Sequence, residues 1–230
     1  MKIWLDGALR DANSARVSVF DHGFTVGDGV FETIKAVDGR PFALTRHLDR
    51  LARSARGLGL PEPDRDEVRR ACTAVLEAEP VPLGRLRITY TGGLSPLGSD
   101  RGTTGPTLVV AVGATHRRPD TTATVTVPWT RNERGALAGL KSTSYGENVV
   151  ALARAAEQGA TEALFANTVG GRCARAPAPT SSSSSTANCT PRRSPPAAWP
   201  ASPAPSSWNG PAPGRPTCPT TSWTAPRRSS

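Results

Sequence analysis

The alternation of apolar and polar positions predicts β-strands near the start of the chain. Lys2 to Leu5 and Ala8 to Arg10 flank an Asp-Gly pair, which is the usual pattern of a β-hairpin. Further along, two glycines lead into an alternating segment over residues 27–37. A second Asp-Gly pair then turns the chain back into residues 41–44, so a second hairpin is predicted.

A helical periodicity follows the second hairpin. The spacing predicts a helix from Arg46 to about Gly57, with Thr45 as its N-cap. Its apolar face contains Leu48, Leu51 and Ala55. The later elements, in chain order, are a helix over about residues 64–79, strands over 86–91, 107–113 and 122–127, a helix over roughly 147–158 and a strand over 162–165.

This succession of elements predicts an α+β protein with two subdomains. Residues 1–115 form the first subdomain, which holds the hairpins and the first two helices. Residues 120–170 begin the second subdomain, and residues 171–230 form a tail. We expect the second subdomain to be truncated, the tail to be disordered, and the strand at 162–165 to be left as an exposed apolar edge.

The tail differs in composition from the rest of the chain. From Gly171 to Ser230 there is no Asp, Glu, Lys, Leu, Ile, Val or Phe. Such a segment cannot bury enough apolar surface to fold. It holds seven arginines, and without them the chain has 21 basic and 19 acidic residues. Because the net charge of +9 comes mainly from the tail and not from a folded basic face, we expect no nucleic-acid partner.

Cysteine use indicates a reducing compartment. Cys173, Cys189 and Cys218 lie in the tail, Cys72 lies in a predicted helix, and no spacing is typical of a metal site or a disulfide framework. The N-terminus is interpreted as strand and turn and not as a signal peptide, and no apolar run is long enough to span a membrane. We therefore expect a cytoplasmic protein without a metal or a membrane partner.

One lysine is the main candidate for chemistry. The chain has three lysines, Lys2, Lys35 and Lys141. Arginine does not deprotonate in proteins, so only a lysine amine can act as a nucleophile. Lys2 and Lys35 occupy ordinary strand positions, whereas Lys141 follows a Gly-Leu pair and precedes small hydroxyl residues and a tyrosine. Lys141 is therefore a candidate reactive amine. The alternative is a strand-end lysine in water.

Three segments carry a resemblance to a known family. They are Gly27-Asp28-Gly29-Val30-Phe31-Glu32, then Arg46-His47-Leu48-Asp49-Arg50-Leu51, then Gly139-Leu140-Lys141-Ser142 through Asn148. In this order they resemble the class IV aminotransferases, which are the fold-type IV pyridoxal-phosphate enzymes. The similarity covers about residues 1–170. It implies pyridoxal 5'-phosphate as cofactor, a small-molecule amino substrate and a homodimer.

The resemblance implies a role for each matching residue. Lys141 would attach the cofactor covalently as a Schiff base and move the substrate proton. Arg50 would bind the cofactor phosphate through two charge-assisted hydrogen bonds. Tyr145 would donate a hydrogen bond to the phenolic oxygen of the cofactor. The substrate pocket would be lined by Phe31, His47 and Thr91.

Some matching residues allow a structural interpretation as well. His47 and Glu32 are equally compatible with a supporting role, and Asp49 is interpreted as a helix-surface carboxylate. D-amino-acid aminotransferases of the family have an arginine for the substrate carboxylate in the strand that here reads Ile88 to Gly93, and none stands there. This absence counts against D-amino acids as substrates.

The residues after Lys141 bear on the choice of reaction. They read Ser-Thr-Ser-Tyr, whereas branched-chain enzymes tend to have Gly-Asn-Tyr. The first expectation is therefore a 4-amino-4-deoxychorismate lyase, which releases pyruvate and leaves 4-aminobenzoate. A branched-chain-type amino-acid aminotransferase is the alternative.

The tail lacks two segments that the family has. One supplies a glutamate to the pyridine nitrogen, and the other is a Gly-Ile-Thr-like helix start that donates to the phosphate. Read from the third base of GC-rich codons, residues from Ala174 onward can encode E-G-T-G-S-N-V-F-V-V-V, and Ala197 to Trp208 can encode G-C-L-A-G-I-T-R-A-L-V-L. We therefore hypothesise that residues 171–230 are a frameshift product, which would make the chain an inactive remnant. The alternative is a natural low-complexity tail.

Overall fold

A computed structural model describes residues 1–168 and 173–175. These residues belong to one compact unit, Met1–Cys189, and a second unit, Thr190–Ser230, lies outside the described residues. The predicted disorder of residues 171–230 therefore stays a prediction, except at Cys173–Arg175. These three residues form a short strand, which differs from the predicted disorder.

A six-stranded antiparallel sheet dominates the first part of the chain. Its order is β2-β1-β6-β5-β3-β4, which leaves β3 near one edge. The strands are β1 (Lys2–Leu5), β2 (Ala8–Asp11), β3 (Gly29–Val37), β4 (Arg40–Pro41), β5 (Leu83–Thr91) and β6 (Thr107–Ala114), and the helices are α1 (His22–Thr25), α2 (Leu44–Leu58) and α3 (Arg65–Ala78). Both predicted hairpins and both predicted helices are confirmed.

One face of this sheet packs against α2 and α3. Alternate residues of β3 and β5 point to the helices and are buried, as the period of two requires. The main members of this core are Val30, Ile34, Leu86, Ile88, Leu48, Leu51, Ala55, Val68 and Val75. The other face contains Phe31 and Thr33 of β3, which lie opposite Thr89 and Arg87 of β5. The sheet thus separates a closed core from an open face.

The start of α2 differs from the sequence prediction. The N-cap residue is Ala43, in a left-handed conformation with φ 51°, and it makes no side-chain cap hydrogen bond. Thr45 is not the cap, because the turn from β4 brings the chain into the helix before that residue. Its hydroxyl instead accepts a hydrogen bond of 3.0 Å from Arg69. In α3, Asp64 caps the helix by accepting from two backbone amides.

A smaller three-stranded sheet follows, with the order β7-β8-β9. Its elements are β7 (Thr124–Arg131), α4 (Gly146–Glu157), β8 (Glu162–Asn167) and β9 (Cys173–Arg175). β7 and β8 are parallel, so α4 is the crossover helix between them. The core of this part is formed by Val127, Ala151, Ala155, Ala163 and Phe165.

The prediction of an open edge at residues 162–165 is wrong. β8 is paired on one side with β7 and, at Leu164–Ala166, on the other side with β9, so the apolar end of the segment is not an open edge. Phe165 is 1% exposed. The short strand Cys173–Arg175 covers the edge that the sequence pattern left open. Over the described ranges, no helix combines the length and the apolar character that a membrane crossing needs.

Candidate active site

The lysine segment lies along the free edge of β3. β4 pairs only with the end of β3, at Ala36 and Val37, so the backbone of residues 29–31 remains available. Phe31 N donates to Lys141 O at 3.0 Å, and Thr143 N donates to Gly29 O at 2.8 Å. These hydrogen bonds place Lys141 beside Phe31, more than one hundred residues away in the chain.

α2 holds the same segment from the other side. The backbone amide of Lys141 donates to Ser54 Oγ at 3.2 Å, and Ser54 is fully buried in the helix. Gly57, one turn further along α2, allows Leu140 to approach, since a Cβ there would lie 2.5 Å from Leu140 Cδ2. Sheet and helix together fix the backbone from which the lysine side chain extends.

Two aromatic rings surround the amine of Lys141. Its Nζ lies 4.0 Å from the centroid of the Phe31 ring and 5.7 Å from that of Tyr145. The two rings meet edge to face, with centroids 4.9 Å apart. Tyr145 is the N-cap residue of α4, so the start of that helix positions its ring. Aromatic carbon therefore lies against the amine, and the lysine is partly buried.

This environment lowers the pKa of Lys141 from 10.5 to about 8. Burial is the main cause, and the positive charges of Arg50 and Arg87 act in the same direction, while Glu32 opposes them. At pH 7 about one amine in ten is then neutral, compared with fewer than about one in a thousand for an ordinary lysine. A neutral amine is the form that attacks a carbonyl group.

A buried carboxylate organises the cationic side of the site. Glu32 is fully buried and accepts hydrogen bonds from Arg50 Nε and Nη2, each at 2.6 Å, and from His47 Nδ1 at 2.8 Å. Burial alone would raise the pKa of Glu32, but these hydrogen bonds lower it overall. Glu32 is thus ionised and holds Arg50 in one orientation. The Nη1 group of Arg50 has no hydrogen-bond partner among residues 1–168.

Tyr145 is a hydrogen-bond donor at neutral pH. Burial raises the pKa of its hydroxyl, although Arg131, Arg87 and Arg50 oppose this effect. In the part of the chain that the structure describes, no group hydrogen-bonds its hydroxyl. The hydroxyl is therefore available to a ligand beside Lys141.

The structure brings together most of the predicted site residues. Phe31, Tyr145 and Lys141 are in direct contact. Arg50 and His47 meet at Glu32, which gives His47 a supporting contact within the site. Asp49 is exposed and pairs with Arg65, as a helix-surface carboxylate does. The ligand-binding roles themselves remain predictions.

Thr91 lies at the end of β5, opposite Gly29. Its hydroxyl donates to Asp21 Oδ2 at 2.9 Å, and its methyl group lies against Gly23. In the described residues no hydrogen bond joins Thr91 to the aromatic pair around the lysine. A role for Thr91 in the substrate pocket remains a prediction.

Sequence reasoning missed two residues of the site. Ser54 lies four residues after Arg50 on α2, so helical spacing alone would have placed it on the same stripe. Arg87 lies on β5 with its guanidinium carbon 3.6 Å from the centroid of the Phe31 ring. Alternation along β5 places it on the face of Thr89, but only the pairing of β3 with β5 shows that Phe31 is its neighbour.

A second cluster positions the start of β3. His22 is buried, and its two ring nitrogens lie 2.9 Å from Asp28 Oδ2 and 3.1 Å from Gly98 O. Because both partners accept, both nitrogens act as donors, and the hydrogen bond to Asp28 raises the pKa of His22. Arg101 also binds Asp28, at 2.7 Å, and the carbonyls of Leu58 and Gly59. The cluster joins the end of α2 to the entry of β3.

These residues fit pyridoxal phosphate. Lys141 offers a half-buried amine with a lowered pKa, which covalent attachment to an aldehyde requires. Arg50 offers a cation whose pKa is raised by its hydrogen bond to Glu32 and whose Nη1 group is free to bind an anion. No carboxylate for a pyridine nitrogen is found beside Lys141 within residues 1–168, since Glu32 is already engaged.

Comparison with known proteins identifies the family of the chain. The family model of amino-transferase class IV matches residues 29–189. A bifunctional aminodeoxychorismate lyase / D-amino acid transaminase from Mycobacterium tuberculosis is 32% identical over 190 residues, which cover 74% of this chain and 62% of that protein.

Solved structures are similar as well. The fold IV-transaminase CpuTA1 from Curtobacterium pusillum is 31% identical with a TM-score of 0.62, covering 73% of this chain and 64% of that one. A branched-chain aminotransferase from Thermoproteus uzoniensis is 26% identical with a TM-score of 0.66, covering 74% of this chain and 61% of that one. The chain thus spans less than two thirds of the length of each of these relatives.

Proposed function

Because the chain belongs to the class IV aminotransferase family, we propose that it acts on an amino substrate with pyridoxal phosphate, and that its reaction is the elimination of pyruvate from 4-amino-4-deoxychorismate. The observation that carries the use of this cofactor is the lysine amine with a pKa of about 8 between two aromatic rings. The choice of reaction is supported by the relative from M. tuberculosis, whose name includes aminodeoxychorismate lyase.

Each residue has a proposed role. When bound, the cofactor supplies an aldehyde for amines and an electron-withdrawing ring. Lys141 would hold it covalently until the substrate amine takes its place, and the freed Nζ would then accept the proton that leaves the amine-bearing carbon of the substrate and deliver it to the product. Arg50 binds the phosphate with Nη1 while Glu32 holds its other edge. Tyr145 would donate a hydrogen bond from its hydroxyl to the phenolic oxygen of the cofactor.

The substrate pocket is proposed to lie beside the Lys141 amine, on the side away from the cofactor. Phe31 forms one wall, since its ring is in contact with both Lys141 and Tyr145. His47 and Thr91 are proposed to complete the pocket from the helix side and from the end of β5. The aromatic wall keeps water from the amine and so preserves its lowered pKa.

Amino transfer is the second candidate reaction. It is favoured by the other half of the name of the M. tuberculosis relative and by the similarity to the branched-chain aminotransferase of T. uzoniensis. Both reactions begin with the same proton movement at Lys141. They differ in the product, since the lyase releases pyruvate from a chorismate derivative and the transferase needs a 2-oxo acid acceptor.

A homodimer is part of the proposal. Two neighbouring segments, residues 17–26 and 94–97, are joined at Asp21 and Leu94 and expose several large apolar side chains. Phe24 and Leu97 are each 75% exposed. Apolar patches of this kind mark protein contacts. Light scattering on the purified protein would show twice the chain mass, and a monomeric mass at micromolar concentration would contradict the proposal.

The frameshift in residues 171–230 is proposed on the composition of the tail and on its out-of-frame reading. The out-of-frame reading restores both a glutamate segment and a Gly-Ile-Thr helix start, whereas the chain as written has no carboxylate after Glu162. Without that carboxylate the cofactor ring would be a weaker electron sink. We therefore expect the 230-residue chain to hold cofactor weakly and show no turnover, and the frame-restored chain to be active.

The test uses both chains. Each is loaded with pyridoxal phosphate, reduced with borohydride and digested, and the modified peptide is mapped. We expect the label on Lys141, with Lys2 and Lys35 as internal controls, and a label on either of those would overturn the site. Pyruvate release from 4-amino-4-deoxychorismate and amino transfer to 2-oxo acids are then assayed. Normal turnover by the 230-residue chain would refute the frameshift, and inactivity of the restored chain would refute the proposed reactions.

A further inference from the structure

Arg101 joins two parts of the chain that both hold the segment around Lys141. Its Nε and Nη2 donate to the two carboxylate oxygens of Asp28, each at 2.7 Å. Its Nη1 donates to Gly59 O, and its Nη2 also donates to Leu58 O, each at 2.6 Å. Four of the five N–H groups of the guanidinium are therefore engaged. Arg101 thus links the entry of β3 to the end of α2.

The Asp28 end of this link reaches Lys141 through two glycines. Asp28 lies between Gly27 and Gly29, whose carbonyls accept hydrogen bonds from the lysine segment. Gly27 O accepts from Thr143 Oγ1 at 2.8 Å, and Gly29 O accepts from Thr143 N at 2.8 Å. Glycine restrains the backbone less than any other residue. The position of this stretch therefore depends on what holds the Asp28 side chain between the two glycines.

The α2 end of the link reaches Lys141 from the other side. Leu58 is the last residue of α2 and Gly59 is its C-cap. Arg101 therefore binds carbonyls that lie where a helix has no donors of its own, and its positive charge interacts favourably with the helix dipole. One turn earlier in α2, Ser54 Oγ accepts from the backbone amide of Lys141. A movement between α2 and the entry of β3 would therefore displace the lysine.

The carboxylate of Asp28 is well suited to hold Arg101. Its side chain is 10% exposed, and its Oδ2 also lies 2.9 Å from His22 Nδ1. Burial alone would raise the pKa of Asp28, but the hydrogen bonds from Arg101 and His22 lower it overall. The group is therefore ionised at neutral pH. A Cβ at Gly92 would lie 2.6 Å from Oδ2, so the carboxylate is closely packed on that side as well.

We propose that Arg101 is a positioning residue for Lys141, because it binds Asp28 and the end of α2 together and so keeps the amine buried against the Phe31 and Tyr145 rings. This inference rests on the proposed function of Lys141. Arg101 acts through the two elements that it joins and has no part in binding the cofactor.

The pKa of Lys141 can report this role. Burial is the main cause that lowers it, and the charges that shift it are those of Glu32, Arg50 and Arg87. The charge of Arg101 is not one of them. A change in this pKa after substitution of Arg101 therefore reflects the position and burial of the amine, and not the lost charge.

The test compares Arg101→Gln with Arg56→Gln as the matched control. Arg56 also binds a carboxylate near the end of α2, with Nη1 donating to Glu62 Oε2 at 2.6 Å. This pair joins α2 to the connection that follows it, and not to β3. The variants are made in the 230-residue chain and in the frame-restored chain, which share residues 1–170.

The measurement uses lysine labelled with ¹³C at Cε in the cofactor-free proteins. The chain has three lysines, so three resonances are titrated in one NMR experiment. Lys141→Met identifies the resonance of Lys141, and Lys2 and Lys35 serve as internal references. A second measurement follows the rate at which pyridoxal phosphate becomes attached to Lys141, by borohydride labelling at a series of pH values.

We expect Arg101→Gln to raise the pKa of Lys141 from about 8 by about one unit, toward the 10.5 of an ordinary lysine, because the amine becomes more hydrated. Arg56→Gln should leave it within about 0.2 unit. Attachment at pH 7 should slow by about tenfold in Arg101→Gln, because the neutral fraction of the amine falls by that factor. The difference should vanish near pH 10.5, where the amine is mostly neutral in both proteins. A variant that was only less stable would lose attachment at every pH.

Circular dichroism checks that the variants fold. If Arg101→Gln does not fold, Arg101→Lys is measured in its place. A lysine there keeps the charge, but its single amino group cannot bind both oxygens of Asp28 and both helix carbonyls at once. The pKa of Lys141 should then rise in the same direction by a smaller amount. The resonance of the added lysine is recognised because the parent lacks it.

The outcomes separate the two hypotheses. If the parent is labelled at Lys141 but the pKa of Lys141 is unchanged in the folded Arg101 variant, only the role of Arg101 is overturned. If Arg56→Gln raises this pKa to the same degree, the effect belongs to any ion pair of α2 and the inference also fails. If the parent is not labelled at Lys141, the proposed function falls, and the role of Arg101 falls with it.

Discussion

Replacing Lys141 by methionine should make the cofactor-free protein more stable at pH 7. A pKa lowered from 10.5 to about 8 corresponds to about 3 kcal/mol against the protonated amine in the folded state. The contact of the ammonium with the Phe31 ring offsets part of this, about 1 kcal/mol, and partial exposure of the side chain reduces the penalty further. We expect a net gain of about 1–2 kcal/mol in the free energy of unfolding, because methionine fills a similar volume without a charge.

The pH dependence has a defined sign. Below about pH 8 the lysine is protonated in both states, and the folded state bears the full cost of the buried charge. Between about 8 and 10.5 the unfolded state binds more protons than the folded state, so the stability of the parent rises with pH. The advantage of Lys141→Met should therefore shrink across this range and be small at its upper end.

Urea denaturation of both proteins without cofactor, at pH 7 and near pH 10.5, measures this difference. The cofactor must be absent, since binding would stabilise the parent alone. Lys35→Met is the matched control, because Lys35 is an exposed lysine on β3 and its loss should change stability by less than about 0.5 kcal/mol. Equal or lower stability of Lys141→Met at pH 7, or an offset that does not change with pH, would refute the reasoning.

Three further predictions follow from the site and the fold. Arg50→Ala should weaken cofactor binding by about tenfold or more in a fluorescence titration, which is about the value of a charge-assisted pair. Arg46→Ala, on the same helix, should not weaken it, and a larger loss from Arg46→Ala would contradict the role of Arg50 as the phosphate ligand. Glu32→Gln should lower the free energy of unfolding by about 2–3 kcal/mol in chemical denaturation at pH 7. This loss should diminish as the pH falls below 4.5, because a carboxylate whose pKa is lowered on folding stabilises the fold only when it is ionised. A loss that does not change with pH would argue against an ionised carboxylate. Gly93→Ala should destabilise the protein by about 3 kcal/mol or more, because the φ of Gly93 is +71° and a Cβ there would overlap a backbone carbonyl oxygen. Gly113→Ala is the control, since a Cβ at Gly113 would meet open space. Equal melting temperatures of the two variants would contradict this prediction.

Local sequence patterns were sufficient for most elements. Period-two alternation and Asp-Gly turns predicted the hairpins, and apolar spacing predicted the buried face of α2, because both signals come from residues close in the chain. The start of α2 was predicted incorrectly, since the left-handed conformation of Ala43 depends on the turn out of β4. The edge of β8 was predicted incorrectly for a similar reason, because its partner strand Cys173–Arg175 lies in a stretch whose composition gives no strand signal.

The sequence alone selected the candidate amine, and the structure decided what surrounds it. With only three lysines, chemistry and motif were enough to select Lys141. Its pKa, the ionised Glu32 that holds Arg50, and the position of Arg87 over Phe31 follow from contacts between residues that are from 18 to more than one hundred positions apart. Burial and neighbouring charges set those properties, and neither can be obtained from a linear pattern until β3, β5, α2 and the lysine segment are brought together.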